Sequence, residues 1–188
     1  MPTTAATSSG FTYTGQMLSE IPAIPARNID GSSSFSQVII SGAWSGESQT
    51  EKPSDINCSR IPTGSDGSES IVYQVRTSPF DRTDSGSDVP GQDYILNFVV
   101  PISPDANIDT TLESSFDFIL SNPNVGEPNP EFFSGAEYRE SFAFSVSQDL
   151  KLIEFSGRVD PVEGSFEIYP TVKSGIAGRI QCETIVKT

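Results

Sequence analysis

The chain contains no histidine among its 188 residues. Without this side chain it has no Ser-His-Asp or Cys-His catalytic group, no histidine-ligated haem or zinc, and no imidazole switch near neutral pH. Carboxylates, lysines and tyrosines are the groups that remain for acid–base chemistry. The residue set therefore favours a protein without enzymatic activity.

Basic residues are also scarce. The chain has 11 lysines and arginines against 25 acidic residues, a net charge of −14. A surface of this sign repels phosphate backbones, so we expect no specific binding to nucleic acid. No apolar stretch has the length of a membrane span, and the N-terminus lacks the basic and then apolar pattern of a secretory signal. We expect neither a membrane partner nor an export signal.

The two cysteines, Cys58 and Cys182, are too far apart in sequence for a zinc or redox motif. Cys182 falls in an alternating segment and is interpreted as a small buried hydrophobic residue, whereas Cys58 is expected in a polar loop. A disulfide between them is the less favoured alternative, because nothing in the sequence indicates secretion. The run Asn57-Cys58-Ser59 matches a glycosylation acceptor, and without an export signal it is interpreted as a chance match.

Apolar residues occupy alternate positions along most of the chain, and turn residues punctuate them. Phe142, Phe144 and Val146, for example, alternate with serine and alanine, as in a strand with one buried face. The pattern predicts an all-β protein, either a single antiparallel β-sandwich or a closed β-barrel. The predicted strands are 36–45, 71–78, 94–102, 112–121, 141–147, 150–159, 166–172 and 179–187, with loops at 46–70 and 79–92 and a short helical turn within 132–139.

The same alternation selects a set of core positions. We expect these apolar side chains to be buried: Val38, Ile40, Trp44, Val72, Leu96, Phe98, Val100, Phe116, Phe118, Phe142, Phe144, Leu152, Phe155, Ile168 and Ile180.

Residues 1–35 are predicted to form an extended N-terminal arm, and residues 36–188 the β domain. Proline, glycine and serine interrupt any regular element in the arm. Its few apolar side chains cannot offset the entropy of ordering so polar a segment unless they bury against a surface. We therefore assign an assembly role to Phe11, Tyr13, Ile21 and Ile24, which are expected to lie against another copy of the chain.

One run of oxygen-bearing side chains is a candidate calcium site. Asp105, Asn107 and Asp109 form a D-x-N-x-D pattern, whose alternate oxygens could converge on a hard cation. Thr110 stands where a calcium loop has its turn glycine, and Phe116 where it has a bidentate acid. The alternative is a solvated turn between two strands. A second acidic group, Asp81, Asp84, Asp88 and Asp93, is interpreted as a solvated loop.

The tripeptide Gly42-Ala43-Trp44 resembles the G-x-W signature with which lipocalins begin their barrel. In that family the tryptophan closes the barrel floor beneath an arginine from a late strand, a position that Arg179 would take here. The resemblance covers one tripeptide. It implies a barrel that holds a small apolar ligand, with enzymatic activity in the cavity as a further option.

Taken together, these features favour a non-enzymatic structural subunit that assembles into a homo-oligomer. A catalytically poor residue set, a strand-rich body and a proline- and serine-rich arm suit a virion or phage-tail component of the tube, decoration or fibre type. The acidic charge suits a wall that does not hold passing DNA. The small-molecule-binding, lipocalin-like barrel is the alternative.

Overall fold

The computed structural model describes residues 13–14, 33–42, 46–63, 65, 67–76, 81–82, 93–103, 115–120, 131–134, 142–161 and 174–188. These residues form one 3-10 turn, Pro53–Asp55, and the following strands: β1 Tyr13–Thr14, β2 Phe35–Gly42, β3 Gly46–Thr50, β4 Ile56–Pro62, β5 Glu69–Arg76, β6 Asp81–Arg82, β7 Tyr94–Ile102, β8 Ser115–Leu120, β9 Glu131–Ser134, β10 Phe142–Val146, β11 Leu152–Pro161, β12 Ser174–Gln181 and β13 Val186–Lys187. The all-β prediction is confirmed for this part of the chain.

The strands form two sheets. Sheet B runs in the order β13-β4-β5-β7-β8-β9, and sheet A in the order β1-β10-β11-β12-β2-β3-β6. Neighbours are antiparallel except β13, which lies parallel to β4. The sheets join where the end of β11 pairs with β9, at Asp160 opposite Phe133. No pairing among the described strands closes either sheet into a barrel.

Aromatic side chains from the two sheets meet in the core. The ring of Phe98 on β7 lies 5.2 Å from that of Phe144 on β10 and 5.6 Å from that of Phe155 on β11, centroid to centroid. Such tilted pairs stabilise beyond the area they bury. The buried cluster around them comprises Val38, Ile40, Ile56, Cys58, Ile71, Tyr73, Val75, Tyr94, Leu96, Phe98, Val100, Ile102, Val146, Leu150, Ile153, Phe155, Ile176, Ile180 and Cys182.

Most of the testable core positions are confirmed. The buried ones are Val38, Ile40, Leu96, Phe98, Val100, Leu152, Phe155 and Ile180, and Phe144 is half-buried against the cluster. The prediction was wrong about the face of β5, because Val72 is only half-buried while Ile71, Tyr73 and Val75 are buried. Trp44 and Ile168 lie outside the described residues, as do the side chains of Phe116, Phe118 and Phe142.

A tight hairpin joins β10 to β11 at Gln148-Asp149, between the predicted strands 141–147 and 150–159. The Leu150 amide donates to the Ser147 carbonyl at 2.9 Å, and the Ser147 hydroxyl donates to Asp149 Oδ1 at 2.6 Å. Leu150 adopts φ 61°, a left-handed conformation that usually selects glycine. Its side chain is buried, and its carbonyl accepts a 2.6 Å hydrogen bond from the Tyr73 hydroxyl on sheet B. These contacts hold a leucine where the turn alone would favour glycine.

Several predicted loops contain strands. The segment predicted as a loop at 46–70 holds β3 and β4. The prediction missed β3 because this strand is built from the polar run Gly-Glu-Ser-Gln-Thr, which has no apolar alternation. Its inward side chains are the buried Ser48 and Thr50. The segment predicted as a helical turn within 132–139 begins as strand β9, and the loop at 79–92 contains β6. The predicted strand 179–187 starts earlier, since β12 includes the glycines Gly175 and Gly178.

Gly178 makes room for the Phe155 ring. The two residues are cross-strand partners on β12 and β11. A methyl group added to Gly178 would overlap the Phe155 ring, with Cε2 at 2.9 Å, and would lie 2.8 Å from the backbone carbonyl oxygen of Gln37. The ring could rotate away, but the carbonyl belongs to the β2 ladder and cannot yield alone.

We predict that Gly178→Ala destabilises the fold by at least about 1–3 kcal/mol, the range for forced overpacking. Urea unfolding followed by tryptophan fluorescence or circular dichroism measures the change. Gly67→Asn is the matched control: Gly67 has φ 86° with open space around it, and asparagine tolerates a left-handed backbone. Equal stability of Gly178→Ala and the wild type would contradict the packing described here.

A disulfide ties the two sheets together. Cys58 on β4 and Cys182, directly after β12, form a disulfide with their Cα atoms 6.1 Å apart, within the usual range. The expected burial of Cys182 is confirmed, whereas Cys58 is buried in a strand and not in a loop. The disulfide alternative is therefore the one that the structure supports. The bridge spans 124 residues of sequence, so it restricts the unfolded chain strongly.

Replacing both cysteines with alanine should destabilise the fold by about 3–5 kcal/mol, as loop-closure entropy predicts for a ring of this size. Chemical denaturation with and without a reductant tests this. The reductant should lower the midpoint of the wild type towards that of the double variant and leave the double variant unchanged. A wild type that is insensitive to full reduction would contradict the prediction.

Candidate functional site

The calcium prediction falls outside the part of the chain that can be tested. Asp105, Asn107 and Asp109 lie outside the described residues. Among the residues that are described, no group of three or more aspartate, glutamate, histidine or cysteine side chains is placed to hold a metal ion. In the same residues, no helix is long and apolar enough to cross a membrane.

Of the four assembly residues, one lies in a described element. Tyr13 belongs to β1, which pairs with β10 of the same chain, with Tyr13 opposite Ser145 and Thr14 opposite Phe144. Phe11, Ile21 and Ile24 lie outside the described residues. The arm therefore contributes a strand to the edge of β10 opposite β11, and the prediction that it contacts another copy stays a prediction.

The residues behind the lipocalin resemblance lie only partly within the described ranges. Gly42 ends β2, and Trp44 lies outside the described residues. Arg179 lies on β12, where its Nη2 atom is 3.6 Å from Oε1 of Glu154 on β11. The described contacts of Arg179 thus include an ion pair with a carboxylate on the neighbouring strand.

Glu154 and Arg179 belong to a row of polar side chains that crosses sheet A. Ser145 on β10, Glu154, Arg179 and Gln37 on β2 are consecutive cross-strand partners. They alternate with core residues along each strand, so they occupy the face of sheet A that points away from sheet B. This polar row is nevertheless mostly buried: Ser145 is 0% exposed, Arg179 6% and Glu154 9%. Sheet A is therefore covered on both faces at this level.

The ion pair in the polar row serves structure. A buried charge is tolerated only when it is paired, and the guanidinium keeps its charge at any pH that a protein meets. The Glu154 carboxylate is accordingly paired with Arg179 on the neighbouring strand. Gln181 lies two residues after Arg179 on β12 and is also buried. Its side-chain amide has no hydrogen-bond partner among the described residues.

Tyr73 and Tyr94, two buried tyrosines, are also poor catalytic groups. Burial raises the pKa of Tyr73 well above its ordinary value, and its hydroxyl is occupied by the Leu150 carbonyl. Burial also raises the pKa of Tyr94, opposed by hydrogen bonding with the hydroxyls of Ser48 and Ser36. Both phenols stay protonated near neutral pH, whereas a catalytic base needs a pKa close to the working pH. The Tyr73 hydroxyl instead links sheet B to the turn between β10 and β11.

A charged cluster fastens the last strand to the edge of sheet B. Glu69 on β5 pairs with Arg60 on β4 and with Lys187 on β13, whose Nζ lies 3.2 Å from Glu69 Oε1. Hydrogen bonding from Lys187 and then from Arg60 lowers the pKa of Glu69. The amide of Thr188 donates to the Arg60 carbonyl at 3.1 Å. Glu69 and Arg60 are half-buried and Lys187 is exposed, so each ion pair is individually weak and the strand is held by their combination.

Among the described strands the sheet network has three ends, and each is covered by a strand of two residues. The strands are β1 on β10, β6 on β3 and β13 on β4. Each pairs with two residues of a partner that is five to seven residues long. These partly covered edges, and not a cluster of reactive side chains, are the candidate functional sites of the described structure.

We predict that Arg179→Met and Glu154→Leu each destabilise the fold by about 3–5 kcal/mol, because either change removes one partner of a buried ion pair. The double variant should lose less than either single variant, since both charges are then absent. A double-mutant cycle in guanidinium chloride gives the coupling energy. Losses that simply add would show that the two side chains do not depend on each other.

The comparisons with known proteins found no protein-family model, no curated protein and no solved structure that matches this chain.

Proposed function

We propose that this protein is a non-enzymatic structural subunit that assembles with copies of itself, of the kind found in virions or phage tails as a tube, decoration or fibre component. The observation that carries the proposal is the set of three partly covered edges, because an unpaired strand edge is a template for another strand. The proposed architecture is a β-sandwich, supported by the aromatic, hydroxyl and disulfide contacts between the two sheets.

The arm strand β1 is the element best suited to exchange between subunits. It pairs with only two residues of β10 in the described ladder, so little pairing is lost if it leaves. Residues 15–34 link β1 to β2. Twenty residues reach at most about 70 Å when extended, which exceeds the diameter of a domain of this size. The same pairing can therefore be made with β10 of a neighbouring copy, as in domain swapping.

The chemistry of the described side chains agrees with a structural role. The buried carboxylate is paired with an arginine, and the buried tyrosines have raised pKa values. The net charge of −14 keeps assembled surfaces from binding nucleic acid. Calcium bound by Asp105, Asn107 and Asp109 stays a part of the proposal.

The lipocalin-like alternative has less support. A barrel that binds a small apolar ligand needs a closed sheet around a cavity. Among the described strands no pairing closes a barrel, and the large side chains Tyr73, Tyr94, Phe98 and Phe155 fill the space between the sheets.

The proposal predicts that the full chain forms a defined oligomer and that removal of residues 1–32 converts it to a folded monomer. The truncation keeps Ser34, whose hydroxyl accepts a hydrogen bond from the Glu183 amide, and Phe35, where β2 begins. Multi-angle light scattering after size-exclusion chromatography measures the mass, and circular dichroism verifies the fold.

Two point variants separate the arm from the other edges. Thr14→Pro removes a backbone donor from β1 and should weaken the oligomer, whereas Val186→Pro makes the same change in β13 and should not. A wild type that stays monomeric at high concentration would refute assembly. An oligomer that survives both the truncation and Thr14→Pro would exclude the arm as its cause.

A further inference from the structure

Asn57 is an exposed asparagine in the one glycosylation-acceptor motif of the sequence. Asn57-Cys58-Ser59 is the single Asn-x-Ser/Thr run in the sequence. Asn57 lies on β4 with its side chain exposed, while the next residue, Cys58, is buried at 2% exposure. The strand thus presents the carboxamide to solvent and sends the cysteine into the core.

The disulfide removes the reason for treating this match as chance. That interpretation depended on the lack of any sign of secretion. The bond between Cys58 and Cys182 is such a sign, because buried structural disulfides form and persist in oxidising compartments and are rare in the cytosol. The endoplasmic reticulum lumen is the oxidising compartment in which asparagine residues of this motif are glycosylated. We propose that Asn57 is an N-glycosylation site.

The order of the chain prevents the disulfide from blocking the modification. Cys182 follows Cys58 by 124 residues. At about 5–20 residues per second, synthesis of that segment takes roughly 6–25 s. Asn57 is therefore available to a membrane-bound transferase while Cys58 is still a thiol, because Cys182 has not yet been synthesised. The glycan is added first and the sheets are joined afterwards.

The face that carries Asn57 suits a covering sugar. Asn57, Gln74 and Asn97 are consecutive cross-strand partners on β4, β5 and β7, and Gln74 Nε2 donates to Asn97 Oδ1 at 2.5 Å. Beside this polar row lies Ile95 on β7, an apolar side chain that is 37% exposed. A bulky hydrophilic glycan next to it would shield this face and keep it out of subunit contacts. The edges of the sheets stay available, so the inference does not depend on the assembly proposal.

The reaction needs a glycosyl donor that carries an oligosaccharide on a lipid pyrophosphate. The carboxamide nitrogen of Asn57 attacks C1 of the first sugar and forms a C–N bond. The bond between C1 and the pyrophosphate oxygen breaks, and the lipid pyrophosphate leaves with the electron pair. One amide proton passes to a base of the transferase. Nothing is oxidised or reduced.

The test is translation of the full chain, preceded by a cleavable secretion signal, in a lysate supplied with microsomes. We expect one band of raised mass that peptide N-glycosidase returns to the unmodified position. Asn57→Gln and Ser59→Ala should abolish the shift, and Ser59→Thr should retain it. Asn97→Gln is the matched control, an asparagine on the same face but outside the motif, and should leave the shift unchanged. The Cys58→Ala, Cys182→Ala double variant should still be modified.

Two results would overturn the inference. One is a wild-type chain whose signal is cleaved and whose disulfide forms, shown by alkylation and non-reducing electrophoresis, but which carries no glycan. The other is a shift that persists in Asn57→Gln. Loss of the shift in the double cysteine variant alone would overturn the proposed order of the two modifications.

Discussion

The packing of Phe98 against Phe144 and Phe155 is the contact on which the two sheets depend. It brings the centre of β7 against the hairpin formed by β10 and β11. It also requires a residue without a side chain on β12, since the Phe155 ring occupies the space that a side chain at Gly178 would fill. A large residue on one strand and no side chain on its partner form a single packing unit.

The unusual turn at Leu150 follows from the same arrangement. Once β11 is fixed against sheet B, the turn before it lies over Tyr73, whose hydroxyl meets the Leu150 carbonyl. Close by, the Cys182 amide donates to the Lys151 carbonyl at 2.9 Å, and the cysteine is bonded to β4. Hydroxyl, backbone and covalent contacts therefore converge on one end of the interface. This convergence explains how a leucine is kept in a conformation that usually belongs to glycine.

Sequence patterns were sufficient for the central strands and insufficient for the polar ones. Alternation located β2, β10 and β11, and a continuous apolar run located β7. In β5 the residues Ile71, Tyr73 and Val75 share one parity, whereas Val72 shares the other with polar residues. The alternation thus favoured the face that is buried, and the prediction of Val72 took the wrong one. Strand β3 has no apolar residue, and its burial comes from neighbours that local sequence does not contain.

The candidate sites show the same division. The acceptor motif at Asn57 and the separation of the two cysteines could be read directly from the sequence. The pairing of Glu154 with Arg179 could not, because 25 residues separate the two and their contact depends on the register of β11 against β12. The partly covered edges were also hidden, since an edge is a property of strand order and not of any strand's composition.

The disulfide also determines how this protein would respond to a mechanical force. A pull applied across the domain from positions before Cys58 and after Cys182 passes through the sulfur bridge and bypasses the 124-residue separation between them. That segment, which would otherwise lengthen by up to about 400 Å when drawn out, cannot be unravelled while the bond is intact. Most of both sheets would thus remain folded under tension, and only the segments outside the ring could extend.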